Sequence, residues 1–315
     1  MKICITVDLD NYQDYQSLVD PESGSTARSF YLDAIPRYLD LFDRFGIRAT
    51  FFMIGRDGAP AAHRKLVREI SDRGHEVGNH SYTHPYNFRK LSRTEKEIEI
   101  DQADAAISDI LGKRPVGFRT PSCDVDSETL GLLAERGYLY DSSVFPTPLM
   151  WVFMLYGKLF LRNANYQLGH LATALAPAIP YSPSLRRVHR RRKEGDGQAP
   201  QVLEIPFSVI PILRLPFYST LLRRFGTGFF SLLTRAYGRR RPVLHALFHL
   251  IELADFEHTS LGRAFERTPG LAVSLSGRQR FVSHAIETLA AAGEAVPLHE
   301  LARSYLGELK GRTSE

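Results

Sequence analysis

Up to about residue 140, short apolar runs alternate with stretches of helical period, and few architectures accommodate that rhythm. Residues 3–7, 49–54, 75–78 and 116–118 read as buried strands, while residues 29–45, 62–72, 94–111 and 127–136 carry apolar positions three and four apart. The helical stretches are punctuated at both ends. Ser92 and Thr94 stand ahead of acidic residues, which suit the positive end of a helix; Gly46, Gly74, Gly112 and Gly137 follow helix ends, where a left-handed backbone is wanted. Strands joined by single helices through short connections favour a parallel sheet, either open or closed into a barrel. Spacing alone leaves both open.

The rhythm breaks after Pro146. Residues 148–162 read as a dense apolar helix bearing Trp151, Phe153, Tyr156 and Phe160. It falls short of the roughly 20 apolar residues a membrane span needs, and Gly157 and Lys158 interrupt it. It is expected to rest on a surface or to pack on the fold as a lid. Residues 176–183 and the basic segment 186–198 read together as a long loop. The whole chain, residues 1–315, is therefore expected to form one α/β domain with an apolar and basic insertion at about 146–200. Strands over 202–205 and 243–248 then flank a helical stretch over 218–237, and a last helix over 278–292 precedes a short strand around Val296.

A chain of 315 residues with 43% hydrophobic content buries a sizeable core, which excludes general disorder. The net charge of +5 is concentrated in Arg186, Arg187, Arg190, Arg191, Arg192 and Lys193, and again in Arg239, Arg240 and Arg241. These clusters fit either a solvated loop or an anionic partner such as lipid headgroups. Nucleic acid is not expected, because no stacking aromatics interleave the arginines and no recognition motif accompanies them. Cys4 and Cys123 are too few for a disulfide framework and are expected to be free thiols. The first residues read as a strand rather than a secretory signal, so the expected location is the cytoplasm, extending to its membrane face.

Two features point to chemistry. Asp8 and Asp10 flank Leu9 at the end of the first apolar run, and period-two geometry puts both carboxylates on one side. Burying them there is costly without a cation or hydrogen-bond donors, although capping the next loop is a plain structural alternative. His80 and His84 follow the strand over 75–78; two imidazoles and a carboxylate form a ligand set for a zinc-like ion. Spacing alone is weak evidence, since eleven histidines make stray pairs common and His245 and His249 form another. Placement favours the first pair, which sits at a strand end ahead of Pro85, where side chains face the mouth of an α/β fold.

Short blocks along the chain resemble the polysaccharide deacetylases of carbohydrate esterase family 4, which carry a NodB-like domain. They are Asp8-Leu9-Asp10, His80-Ser81-Tyr82-Thr83-His84, Phe118-Arg119-Thr120-Pro121, Tyr140-Asp141-Ser142-Ser143 and Leu247-Phe248-His249, in the family's order. The resemblance implies a distorted, incomplete (β/α) barrel with its site at the C-terminal ends of the strands. It implies that Asp10, His80 and His84 hold a divalent metal, zinc foremost, and that Asp8 is the general base. Arg119 would orient Asp8, Asp141 would help fix that network, and His249 would protonate the departing amine. Pro121 and Ser122 would meet the substrate, a backbone N–H near Ser122 helping to stabilise the oxyanion.

Two departures stand out: Ser122 replaces a frequent Tyr, and Val144 and Phe145 follow Asp141 where a Trp is usual. The implied reaction removes an acetyl or formyl group from an N-acylated amino sugar. The apolar, aromatic segment followed by arginines extends that expectation to a polyprenyl-phosphate-linked sugar, with peripheral contact at the cytoplasmic membrane face. A soluble amidase for a small non-sugar amide or cyclic imide remains an alternative. A binding module with a vestigial site is opposed by the presence of both acids, both ligating histidines, Arg119 and His249.

Overall fold

The computed structural model describes residues 1–19, 29–160, 169, 171–184, 186–192, 202–239, 241–266 and 273–312. Strand β1 (Lys2–Asp8) leads into helices α1 (Tyr12–Val19) and α2 (Tyr31–Arg44), after which strand and helix alternate. The series runs β2 (Thr50–Met53), α3 (Ala61–Asp72), β3 (Glu76–Asn79), α4 (Arg93–Leu111), β4 (Gly117–Phe118), α5 (Ser127–Glu135) and β5 (Tyr140–Asp141). Next come α6 (Met150–Phe160), a hairpin of β6 (Pro183–Ser184) and β7 (Arg187–Arg191), then β8 (Leu203–Glu204), α7 (Ser219–Leu222) and α8 (Gly226–Gly238). The chain ends with β9 (Val243–His249), α9 (Ser260–Glu266), α10 (Leu275–Ala292), β10 (Glu294–Ala295) and α11 (Leu298–Arg312).

The main sheet runs β9-β1-β2-β3-β4-β5-β8, every pair parallel, and β10 adds to the first residues of β1. Along the β1–β9 ladder Asp8 stands opposite His249. From β8 back to β9 the closure is irregular: the Ser208 N–H donates to the His245 carbonyl at 3.1 Å, and the Leu247 N–H to the Phe217 carbonyl at 2.9 Å. The result is a distorted, incomplete (β/α) barrel.

Alternation along β1 explains how the barrel is filled. Ile3, Ile5 and Val7 pack outward into the cluster formed with α2 and α10, whereas Cys4 joins an inner cluster with Phe52, Tyr140 and Leu203. Full burial of each such aliphatic side chain contributes about 1.5–3 kcal/mol. The inner face turns polar toward the strand's C-terminal end, through buried Thr6 and Asp8. At the opposite end α11 plugs the floor. Its first N–H groups meet Thr50 Oγ1 and Glu76 Oε2 at 2.9 and 3.0 Å, and Glu76 also accepts from the Tyr140 hydroxyl at 2.9 Å. A buried carboxylate is well placed at that positive helix end.

The expected helix ends are present. Ser92 and Glu95 form a reciprocal capping box on α4, and Gly46, Gly74, Gly112 and Gly137 have φ of 63°, 82°, 68° and 74°. Three expectations need correction. Part of the basic segment 186–198 is strand β7 rather than loop, because Val188 is buried and the Tyr181 hydroxyl bonds to its carbonyl; residues 193–198 lie outside the described residues. The helical stretch over 218–237 breaks into α7 and α8, parted by a short 3-10 turn that ends at Gly226, whose φ is +83°. The helix over 278–292 is not the last, since α11 follows it with Leu298, Leu301 and Ala302 buried.

Candidate active site

Asp8 ends β1, and Leu9 still donates to the Phe52 carbonyl at 3.0 Å, so the extended backbone carries Asp8 and Asp10 to the same side. The histidines reach them by a sharp loop after β3 in which Ser81 and His84 have φ of 66° and 59°. Non-glycine residues adopt that conformation at a cost, which the surroundings must cover. Here Glu99 of α4 accepts from the Tyr82 N–H, the Thr83 N–H and the Thr83 hydroxyl at 2.9, 2.8 and 2.5 Å. Ser81 N–H donates to Asn79 Oδ1 at 2.8 Å and His84 N–H to Ser81 Oγ at 3.1 Å. As a result, His80 Nε2 and His84 Nε2 each lie 3.5 Å from Asp10 Oδ1.

This trio fits a divalent cation. One ligand atom from each of the three buried residues falls within 4.8 Å of the others, and Asp10 Oδ1, which faces both rings, accepts no hydrogen bond among the described residues. His80 Nδ1 sits 2.8 Å from the Arg119 carbonyl, which fixes the tautomer with its proton there and leaves Nε2 as a donor atom for metal. Burial alone would raise Asp10, but His84, His80 and His249 outweigh it and hold the carboxyl well below the usual carboxylate range. Burial pulls His84 below its ordinary value. His80 is pulled the same way by burial but is held above its ordinary value by Asp8 and Asp10. Binding a dication requires both rings to be neutral.

Arg119 lies at the centre of the barrel, fully buried, with its guanidinium 4.1 Å above the Phe52 ring and 4.6 Å from the Phe207 ring. It donates to Asp8 Oδ1, to Thr6 Oγ1 at 3.1 Å, and to the carbonyl and hydroxyl of Ser142 at 2.8 and 3.0 Å. Its last neighbour is His245 Nε2 at 3.2 Å. A guanidinium only donates, so Nε2 accepts and the His245 proton sits on Nδ1, directed at the Pro206 carbonyl 3.1 Å away. Burial and the Arg119 charge push His245 down to about 3, keeping it neutral. Four residues of strand span roughly 13 Å, so His245 and His249 do not share an ion. Thr6, Ser142 and His245 are the supports sequence reasoning missed. The signal lay in strand alternation: Thr6 is two residues before Asp8, and His245 shares the face of His249.

No hydrogen bond joins Asp141 to Arg119 among the described residues; the adjacent Ser142 holds that guanidinium. Asp141 Oδ1 accepts from the Ser143 hydroxyl at 2.7 Å, and Asp141 stands in register with Glu204 of β8, whose Oε1 accepts from the Val144 N–H at 3.0 Å. Asp141 Oδ2 and Glu204 Oε2 have no hydrogen-bond partner among the described residues, and burial raises both carboxyls. Alternation is the reason: Asp141 turns toward β8, which leaves the next residue, Ser142, to hold Arg119.

His249 Nε2 is 3.9 Å from both Asp8 Oδ2 and Asp10 Oδ2, with its ring 5.4 Å from that of Tyr218. Phe145 packs against Phe207 and Tyr218, with ring centroids 5.4 and 6.3 Å apart, so an apolar wall is present without the usual Trp. Pro121 opens a buried turn in which Ser122 has φ of 53°, and no described residue accepts the Ser122 N–H. Tyr15 of α1, also unforeseen, reaches Asp10 Oδ2 at 3.4 Å.

Residues 28–140 match the family model described as polysaccharide deacetylase. A peptidoglycan deacetylase-like protein of Gibberella zeae is 28% identical over 156 residues, covering 46% of this chain and 44% of that protein. A peptidoglycan deacetylase of Helicobacter pylori is 32% identical over 110 residues, 35% of this chain and 36% of that protein. The matched region thus spans less than half the length of these relatives. Among solved structures, a candidate polysaccharide deacetylase of Mycobacterium smegmatis has a TM-score of 0.60 at 18% identity, covering 98% of this chain and 90% of that one, a likeness of fold. Curled sheet and strand-end Asp-His-His set together define a (β/α) half-barrel of the NodB-like kind. Over residues 28–140 the chain is similar to the polysaccharide deacetylases.

Proposed function

We propose that this chain is a metal-dependent amide hydrolase that removes an acetyl or formyl group from an N-acylated amino sugar. The observation that carries the reading is the convergence of Asp10, His80 and His84, with Asp8 and His249 each 3.9 Å from atoms of that group. A divalent cation such as zinc, held by the three, would polarise the acyl oxygen and acidify the attacking water. Asp8, with Oδ1 engaged by Arg119, takes the proton from that water through Oδ2. The Ser122 N–H faces the oxygen on which negative charge develops. His249 protonates the amine nitrogen, a poor leaving group until protonated, and the C–N bond breaks to give a free amine and a carboxylate.

The proposal extends to a sugar carried on a polyprenyl phosphate and met at the cytoplasmic face of the membrane. It is supported by Trp151 and Leu155, both 59% exposed on α6, and by the exposed arginines of β7; the Tyr156 side chain lies outside the described residues. Cys4 and Cys123, both buried free thiols, suit a reducing compartment. The test is mass-spectrometric detection of acyl loss from amino-sugar oligomers and from a lipid-linked sugar extract, using metal-loaded protein. Asp8→Asn should lower kcat by about 10²–10⁴ while retaining the metal. Absence of acyl loss, or an equally active variant, overturns the proposal, and acyl loss only from small non-sugar amides replaces the substrate class.

A further inference from the structure

A hairpin between β8 and β9 does something its own packing does not reward. Residues 208–217 fold back through the Val209–Pro216 bridge, and at the tip Ile212 and Leu213 are 95% and 73% exposed. Ile212 has φ of +72° and Arg214 +48°. A β-branched residue in the left-handed region is a true outlier, since its Cβ crowds the backbone there. Strain of this kind persists only where the surroundings impose it. They do: Arg214 Nε donates to the Pro146 carbonyl at 2.7 Å and Nη2 to the Ala176 carbonyl at 2.5 Å, clamping the tip to the start and the middle of the insertion. A rigid loop therefore holds two large aliphatic side chains in water, where neither packs on the protein.

The clamp also sets the tip beside other exposed apolar groups. Ala176 follows Leu175, 80% exposed, and Pro146 precedes α6, where Trp151, Leu155 and Leu159 fall on one helical face at 59%, 59% and 66% exposure. The base of the hairpin is part of the site wall, through Phe207 and Tyr218 beside Phe145 and His249. The turn containing Leu175 packs against β7, where Arg187, Arg190 and Arg191 are exposed and make no ion pair with a described carboxylate. An apolar rim with Trp at its edge, flanked by unpaired arginines, complements a surface that is apolar below and anionic above. No described helix is long and apolar enough to cross a membrane.

We infer that the Ile212–Leu213 tip, with Leu175 and the outer face of α6, is an insertion wedge that seats the mouth of the site on an anionic phospholipid bilayer, with the β7 arginines on the headgroups. It deepens, and rests on, the proposed membrane-presented substrate. The test is co-sedimentation of the full chain with phosphatidylglycerol-containing vesicles and with purely phosphatidylcholine vesicles, alongside deacylation of a soluble amino-sugar oligomer. The chain should bind the anionic vesicles preferentially. Ile212→Ser/Leu213→Ser should weaken binding by at least about tenfold while soluble-substrate turnover is unchanged.

Ile212→Gly separates the wedge from a folding role: glycine suits the positive φ, so the melting temperature should rise while vesicle binding falls. Absent vesicle binding, serine variants that bind like the parent, or a parent that dimerises through the tip without lipid would each overturn the wedge. Soluble turnover without vesicle binding removes the wedge alone. Vesicle binding without any deacylation removes the hydrolase reading alone.

Discussion

Neutrality of His245 makes the barrel centre acid-sensitive by an amount that can be worked out. In the folded chain its imidazole is pushed down to about 3, whereas an unfolded histidine titrates near 6.5. Its stabilising contribution is therefore complete above about pH 6.5 and is lost as pH falls toward 3, at about 1.4 kcal/mol per unit. Between about pH 7.5 and 5 the loss is about 2 kcal/mol, because only the part below 6.5 counts. His75, lowered to about 4 by burial, acts in the same direction. Asp57 acts oppositely: burial and Asp14 raise it to about 7, so its contribution is present below the ordinary carboxylate range and fades as pH rises through 7. A difference measurement removes both. His245→Gln keeps a hydrogen-bonding side chain near Arg119 but does not titrate, and urea unfolding of parent and variant at the two pH values gives the comparison. The parent should lose about 2 kcal/mol more than the variant. Parallel losses would mean that His245 is not the neutral acceptor on Arg119, and the tautomer assigned from the Pro206 contact would fall with it.

Two further outcomes are expected. Asp10→Asn or His84→Ala should lower divalent-metal affinity at least about 100-fold, read by metal analysis after dialysis against a weak chelator, with the fold intact by circular dichroism; retained stoichiometric metal would refute the ligand set. Gly117→Ala should destabilise by about 1–3 kcal/mol in thermal unfolding, the cost of overpacking a core. Its new Cβ would fall 2.0 Å from Tyr140 Cζ, and that ring is held by Glu76; an unchanged melting temperature would show the β4–β5 contact to be slack.

The strands and most helices of the first half were legible because alternation and helical period are local: β1 shows its inward and outward faces in seven residues. The convergence of Asp10, His80 and His84 was legible because they sit at or just after strand ends. What bends the His80–His84 loop was not, since Glu99, which pins it, lies in an ordinary-looking stretch of α4 and acts only through tertiary contact. The immediate neighbour of Asp141 was not legible for a similar reason. Glu204 is brought alongside only by the β5–β8 pairing, 63 residues away for the neighbouring Ser142–Ile205 contact. Strand β7 was hidden by its composition, as an arginine-rich segment carries little apolar alternation beyond Val188.

The β1–β9 ladder has a kinetic corollary. Its two strands are far apart in the chain, Lys2 meeting Val243 and Asp8 meeting His249, so this pairing requires closure of roughly three quarters of the polypeptide. Non-local parallel pairings of this sort form late and slowly. A slip of a single position would turn the Asp8 carboxylate out toward the helical layer. Asp8 and His249, the proposed proton acceptor and donor, would then be matched only in molecules whose β1 and β9 had docked in the correct frame, so turnover per molecule would report correct assembly more stringently than helical content does.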